Sequence, residues 1–265
     1  MRTYTYGPFK SRRLGYSLGI NMLGSQKLCT YNCLYCEIES RSQNKLVSPH
    51  FEYKNPPDHH FKKELTSILP YVRNIDSITF GYNGEPTLNP YILKYLTITK
   101  KVRDQIEWEG NPPRLALFTN SSTLHINKIR KRIKNFELVL AKLDAGTDTD
   151  FKRTHRPHKD VPSITSIIDS LAKLKKELSE DHKLAIQCLI YESHDETTSS
   201  NHNDNNINSI AVAFKKIKPD IIQLYSIARI PNEYYVFATN MSELNKIRLK
   251  LEKILNNEDT EIYVF

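Results

Sequence analysis

The stretch L-G-I-N-M-L, Leu18 to Leu23, runs on into C-T-Y-N-C-L-Y-C, Cys29 to Cys36, and the fold turns on reading an apolar run that ends in a polar, cysteine-bearing loop. Similar short runs recur along the chain at Ser77–Phe80, Leu115–Phe118, Leu138–Leu143, Leu184–Ile190 and Ile221–Ile227, which gives six expected strands. Strands apolar on both faces belong to parallel sheets covered on both sides. Amphipathic stretches separate them, clearest in Ile164, Ile167, Ile168, Leu171, Leu174 and Leu178, whose three- and four-residue spacing makes one helical stripe. Leu244, Ile247, Leu251 and Ile254 repeat the pattern near the end of the chain. Strand then helix, repeated, predicts a parallel α/β architecture, either an open doubly wound sheet or a curved, partly closed barrel, with ligands beyond the carboxyl ends of the strands.

With 265 residues the chain suits a single α/β unit. The expected organisation is one domain over 1–265, with a short N-terminal extension, 1–17, and a C-terminal helix and tail, 242–265. The Asn-, Asp-, Ser- and Thr-rich segment Ser193–Ser209 reads as an exposed loop. No apolar run is long enough for a membrane span and Met1–Lys10 lacks a signal-peptide core, so a cytoplasmic address without membrane association is expected. The net charge of +8 would suit a polyanion, but the basic residues are spread out, and Lys128, Arg130, Lys131, Arg132 and Lys134 read as solvated helix faces.

Three of the four cysteines lie within eight residues, a crowding that points to metal rather than to disulfides. A structural zinc normally takes four protein ligands, and no fourth cysteine is near, although His50 could serve. A cuboidal iron–sulfur cluster held by three thiolates instead leaves one iron open for chemistry. Cys188 lies inside an expected strand and reads as a small buried thiol. Of the histidines, His59 and His60 open a helix as surface residues, and His155 and His158 flank Arg156 where either could donate a proton.

The spacing C-x-x-x-C-x-x-C, with Tyr35 before the last cysteine, resembles the signature of the radical S-adenosylmethionine (radical SAM) superfamily. The resemblance implies a partial (β/α)6 barrel with parallel strands. It also implies one [4Fe-4S] cluster on Cys29, Cys33 and Cys36, whose open iron chelates the methionine part of S-adenosyl-L-methionine. F-G-Y-N-G-E-P-T, Phe80 to Thr87, is similar to the Gly-Gly-Glu-Pro element of that superfamily, with Asn83 in the first Gly place, and directs Gly84 and Glu85 toward the methionine amino group. On this reading a valine at Gly84 would intrude on the methionine site while the cluster still assembles. By the same resemblance Tyr35, Asn120, Lys142, Asp144 and Arg156 contact the cofactor, although Asn and Asp after a strand also cap helices.

The stretch Y-G-P-F-K-S-R-R-L-G-Y-S-L-G-I, Tyr6 to Ile20, resembles a subgroup placed with wyosine-forming tRNA enzymes. Two-cluster members need three more cysteines, and only Cys188 remains, so a single-cluster member is expected. Arg12 and Arg13 could touch cofactor carboxylate or substrate phosphate, or pair with surface acids. The implied reaction is reductive cleavage of S-adenosylmethionine to a 5′-deoxyadenosyl radical that abstracts hydrogen from a substrate, with reduced flavodoxin or ferredoxin as electron donor. The substrate reading leans to tRNA or another RNA, with a protein or peptide as the alternative. From other classes, a zinc-containing nucleic-acid-binding module and a plain iron–sulfur electron carrier compete, but neither accounts for the G-Y-N-G-E-P element.

Overall fold

The computed structural model describes residues 2–38, 45–195, 197–256 and 260–265. Its strands, in chain order, are β1 (Thr5–Ser11), β2 (Gly15–Ile20), β3 (Ser77–Phe80), β4 (Arg114–Thr119), β5 (Leu138–Lys142), β6 (Lys183–Ser193), β7 (Ile221–Ser226), β8 (Val236–Ala238) and β9 (Glu261–Val264). The helices are α1 (His59–Ile68), α2 (Ile92–Arg103), α3 (Asn127–Ile133), α4 (Asp148–His155), α5 (Ile164–Glu177), α6 (Asp204–Ile217) and α7 (Met241–Leu255). The six expected strands are β2 to β7, adjacent in chain order and all parallel, with helices in the crossovers, and the sheet curls into a half-barrel.

Side chains that alternate along each strand divide the sheet into two faces. Ile78, Phe80, Leu117, Val139, Ile186 and Leu224 join the main core against the helices, and Cys188 is buried there as expected. The other face carries the smaller set Ala116, Leu138, Leu140 and Ala185, and above it a hydrogen-bonded amide pair, Gln187 Nε2 to Gln223 Oε1 at 2.9 Å. That face thus combines two leucines with small and polar residues. Ile164, Ile167, Ile168, Leu171 and Leu174 are all buried on α5, each contributing roughly 1.5–3 kcal/mol. Leu178, the residue that caps the helix end, carries the stripe on, partly buried against the same core.

Three boundaries differ from expectation. Residues 1–17 are not a mere extension, because β1 pairs antiparallel with β2 and makes a hairpin at the sheet edge. The C-terminal tail contains β9, parallel to β7, while 257–259 of that tail lie outside the described residues. Finally, Ser193–Ser209 is not an exposed loop throughout: Ser193 ends β6 and α6 begins at Asp204, with 196 outside the described residues.

The physical reason for the last correction is side-chain hydrogen bonding. Asn201 and Asn206 are fully buried. Asn201 Nδ2 donates to Leu189 O at 2.7 Å and to Asp144 O at 3.2 Å, and its Oδ1 accepts from Tyr191 N at 2.9 Å. Asn206 Nδ2 donates to Asp144 O at 3.2 Å, and its Oδ1 accepts from Gly146 N at 2.8 Å. A Cβ on Gly146 would lie 2.5 Å from Ile210 N, so only glycine lets the loop after β5 sit this close to α6. These amides brace the loop that carries Asp144. We expect Asn201→Ala, which takes a partner from Leu189 O and Tyr191 N while Asp144 O keeps its bond from Asn206, to cost about 2–3 kcal/mol in denaturant unfolding. Ser199→Ala, at an exposed position, should change little; equal losses in the two variants would argue against the brace.

Candidate functional site

The cysteine segment lies beyond the carboxyl end of β2 and is tied down on both flanks by backbone hydrogen bonds. Leu28 N donates to Asn83 O at 2.8 Å and Glu85 N to Leu28 O at 2.8 Å, which docks the segment on the loop after β3. On the other side Asn32 N donates to His155 O at 2.9 Å, Leu34 N to Thr154 O at 3.0 Å, and His158 N to Thr30 O at 2.8 Å. Cys29, Cys33 and Cys36 are half-buried between these anchors.

Each sulfur has a nitrogen beside it. Asn120 Nδ2 stands 3.4 Å from Cys29 Sγ, His155 Nδ1 3.3 Å from Cys33 Sγ, and Lys27 Nζ 3.2 Å from Cys36 Sγ. Burial pushes the Cys29 thiol up to about 11 and the Cys33 thiol well above the usual range. A metal binding there must therefore displace protons; Asn120 and Lys27 donate to the Cys29 and Cys36 sulfurs and favour the resulting thiolates, whereas His155 Nδ1 donates to or accepts from Cys33 according to its tautomer. Among the described residues no three His, Cys, Asp or Glu side chains are grouped as ligands of one metal ion. His50, the alternative fourth ligand, is exposed, with its ring 5.5 Å from that of His125.

The loop after β3 is built on left-handed backbone. Tyr82, Asn83 and Gly84 have φ of 86°, 52° and 126°. Asn83, where the resembled motif has glycine, adopts this conformation and anchors it by donating from Nδ2 to Gly24 O at 2.7 Å. A Cβ on Gly84 would fall 1.7 Å from Leu28 O and 2.4 Å from Leu28 C. Glycine is therefore required for contact with the cysteine segment itself, which differs from the expectation that it clears space for a ligand.

Glu85 is fully buried and already engaged. Its carboxylate accepts from Thr87 Oγ1 (2.5 Å), Asn120 N (2.6 Å), Thr119 Oγ1 (2.8 Å) and Thr87 N (3.1 Å). Burial still raises its pKa despite these donors. Glu85 thus clamps the ends of β3 and β4 together, and Asn120 links that clamp to Cys29 and, at 2.9 Å, to Thr30 Oγ1.

A second group converges from β5, α4 and β7. Tyr35 OH donates to Asp144 Oδ2, Leu189 N donates to Asp144 Oδ1 at 2.7 Å, and His155 Nε2 lies 3.6 Å from Asp144 Oδ2. Lys142 Nζ donates to Tyr225 OH at 2.7 Å, lies 3.4 Å from Asp144 Oδ2, and sits 4.6 Å from the centre of the Tyr35 ring. Burial alone would lower the Lys142 pKa, but Asp144 and Tyr225 more than offset it and keep the ammonium charged. Burial takes His155 down to about 4 against the pull of Asp144, so its ring is neutral at pH 7. Arg13 stacks over Tyr225 at 4.1 Å, and Arg12 Nη2 donates to Ser226 O at 3.3 Å, so both arginines reach β7.

Of the residues singled out from sequence, Cys29, Cys33, Cys36, Tyr35, Gly84, Glu85, Asn120, Lys142 and Asp144 are brought together around these two loops. Arg156 points elsewhere: in left-handed conformation at the end of α4, it pairs with Glu233 and donates to Tyr235 OH at 2.8 Å. His155, read from sequence as a candidate proton donor, belongs to the same neighbourhood, and so do Lys27 and Tyr225, which were not singled out from sequence. Position alone could have flagged Tyr225, at a strand end, and Lys27, two residues before Cys29.

No protein-family model matches the chain. It is 28% identical over 264 residues to the UPF0026 protein MJ1312 of Methanocaldococcus jannaschii, covering 98% of this chain and 74% of that one. It is also 28% identical over 247 residues to a GTPase Obg of Brachyspira hyodysenteriae, covering 93% of this chain but only 33% of that protein. This chain has no G-x-x-x-x-G-K-S/T phosphate-binding segment. Among solved structures it is similar to Streptococcus suis SuiB bound to S-adenosylmethionine, with TM-score 0.59, 12% identity, and coverage of 91% of this chain and 48% of that one. It is likewise similar to native anSMEcpe with bound AdoMet, with TM-score 0.55, 15% identity and coverage of 92% and 63%. The chain thus spans about a third of the length of the first relative's protein and half that of SuiB. The likeness to the solved structures is one of fold: the curled parallel half-barrel is shared.

Proposed function

We propose that residues 1–265 form one catalytic core, a radical SAM enzyme that holds a [4Fe-4S] cluster on Cys29, Cys33 and Cys36. The observation that carries this is the trio of cysteines presented from one anchored segment at the carboxyl end of a six-strand parallel half-barrel, with a nitrogen beside every sulfur. Three thiolates fit a cuboidal cluster that keeps one iron open. When bound, the cluster supplies an electron, received from reduced flavodoxin or ferredoxin, that splits S-adenosylmethionine into methionine and a 5′-deoxyadenosyl radical able to take hydrogen from a substrate.

The chain's own residues have distinct tasks in this reading. Lys27 and Asn120 steady the Cys36 and Cys29 thiolates, since hydrogen bonds to cluster sulfurs also tune their potential. Lys142 offers a charged ammonium to the cofactor carboxylate, held in place by Tyr225 and Asp144. Tyr35 lays its ring under that ammonium. Glu85 is a positioning residue, because its oxygens are taken by Thr87, Thr119 and Asn120. Arg156 secures the strip Thr154–His158 through Glu233 rather than reaching the cofactor.

RNA is the substrate class that the chain's charge and the resemblance of Tyr6–Ile20 to wyosine-forming enzymes support. A peptide is the second reading, since the half-barrel is shared with SuiB, solved bound to precursor peptide SuiA. Anaerobic reconstitution with iron and sulfide, then reduction with S-adenosylmethionine present, should yield 5′-deoxyadenosine and methionine. A protein with a full complement of iron that yields neither under reduction is not a radical SAM enzyme.

A further inference from the structure

Helices α2 and α3 lie side by side on the outside of the sheet and carry basic residues without a single acid. Some of that charge is neutralised locally. Arg103 turns to Glu137 at 2.8 Å, Arg130 to Glu177 at 3.1 Å, and Lys128 to Glu52 at 2.7 Å, which holds the Glu52 carboxyl below its usual range. Lys94, Lys101 and Arg132 have no acid within salt-bridge distance among the described residues. These three line one groove of about 440 Å³ together with Tyr91, Leu93 and Ile98.

The groove does not stop at the helices. It shares Pro90 and Arg132 with a second, smaller depression of about 80 Å³ whose lining includes Thr87 and Leu88, two and three residues after Glu85. The two depressions together lead from the outer helices toward the loop after β3, and their lining combines the cations Lys94, Lys101, Lys128 and Arg132, one acid, Glu52, which is paired with Lys128, and the apolar and aromatic surface of Tyr91, Leu93 and Ile98. The expectation that the basic residues of α3 and its end are solvated helix faces holds for Lys128, Lys131 and Lys134, which are exposed, but not for Arg130, which is buried and turned to Glu177, nor does it explain why Arg132 lines one groove with Lys94 and Lys101.

We propose that this groove binds a single-stranded segment of RNA, with backbone phosphates on Lys94, Lys101 and Arg132 and a base or ribose against Tyr91 and Ile98. Cations along a groove that is also lined by an aromatic ring suit a flexible strand that can turn its bases toward the protein. A duplex is too wide for a crease between two adjacent helices, and folded RNA exposes unpaired loops and ends. Tyr91 and Thr97 also bring hydroxyl oxygens to the groove; Thr97 Oγ1 donates to Leu93 O at 2.8 Å and keeps its lone pairs for a ribose 2′-OH, which DNA lacks. The inference rests on the proposed radical chemistry only for what becomes of the RNA afterwards; binding itself needs no turnover.

The test is equilibrium binding of a 20-nucleotide oligouridylate to the reconstituted protein over a salt series. The triple variant Lys94→Gln, Lys101→Gln, Arg132→Gln should bind about 100-fold more weakly near 0.1 M salt, and its log–log salt slope should fall by about 2, three phosphate contacts at roughly 0.7 each. A control of equal charge change, Lys62→Gln, Lys63→Gln, Lys253→Gln, should keep the parent's affinity and slope. Unchanged melting temperatures show that both variants remain folded. Equal losses in the two triples, or none in the first, overturn the site. So does displacement of the RNA by polyglutamate at matched charge concentration, which would make the face a dock for acidic proteins. Equally tight binding of duplex DNA, or of a DNA strand of the same length, overturns the assignment to single-stranded RNA. These outcomes are independent of 5′-deoxyadenosine formation, so failure here and failure of the radical SAM reading can be told apart.

Discussion

Valine in place of Gly84 will cost the protein its brown iron–sulfur absorption as well as its cofactor turnover. The backbone at Gly84 has φ of 126°, a region closed to branched side chains, and a Cβ there would overlap the Leu28 carbonyl. Leu28 precedes Cys29 and exchanges hydrogen bonds with Asn83 and Glu85 through its N–H and C=O. To admit even one extra carbon, the cysteine segment must lift from the loop after β3 and carry the first thiol with it. Iron content after reconstitution and the visible spectrum are the measurements. A variant that takes up full iron but loses affinity for S-adenosylmethionine would put the clash at the cofactor instead.

Alanine at Cys29, Cys33 or Cys36 should abolish both the chromophore and 5′-deoxyadenosine formation, bringing turnover below detection, because each thiolate holds a different iron. Cys188→Ser should retain both. Its side chain lies in the main core with 1% exposure, so the hydroxyl exacts a modest stability loss of about 1 kcal/mol. If one of the three proves dispensable while Cys188 is needed for iron uptake, the ligand assignment is wrong.

The parallel half-barrel was legible because Ser77–Phe80, Leu138–Lys142 and Ile221–Ser226 are short, mainly apolar and β-branched runs set between helical patterns, as strands covered on both faces tend to be. β1 was not: Tyr6-Gly7-Pro8-Phe9 interrupts its alternation, and edge position tolerates the proline. The brace at Asn201 and Asn206 was hidden because composition equates asparagine with exposure, whereas burial of amides is permitted wherever every donor and acceptor is satisfied. A signal was present, since Ile207, Ile210, Phe214 and Ile217 follow at helical spacing. In the site, residue types and positions after strands located Asn120, Lys142 and Asp144, but their roles depend on partners distant in sequence. Nothing local says that Glu85 is consumed by Thr119 and Asn120, or that Arg156 is spoken for by Glu233.

The hydrogen bonds that pin Leu28, Thr30, Asn32 and Leu34 have a thermodynamic consequence for metal loading. Fixing a residue's backbone costs roughly 1–2 kcal/mol of conformational entropy. In small zinc domains that cost is drawn from the metal, which is why chelators unfold them. Here the strips around Asn83 and Thr154–His158 hold the cysteine-bearing backbone, so the ordering is supplied when the chain folds. More of the intrinsic iron–thiolate affinity then remains for retaining the cluster. Oxidative loss of iron in this protein should consequently be a reversible loss of activity, repaired by reloading the same folded scaffold.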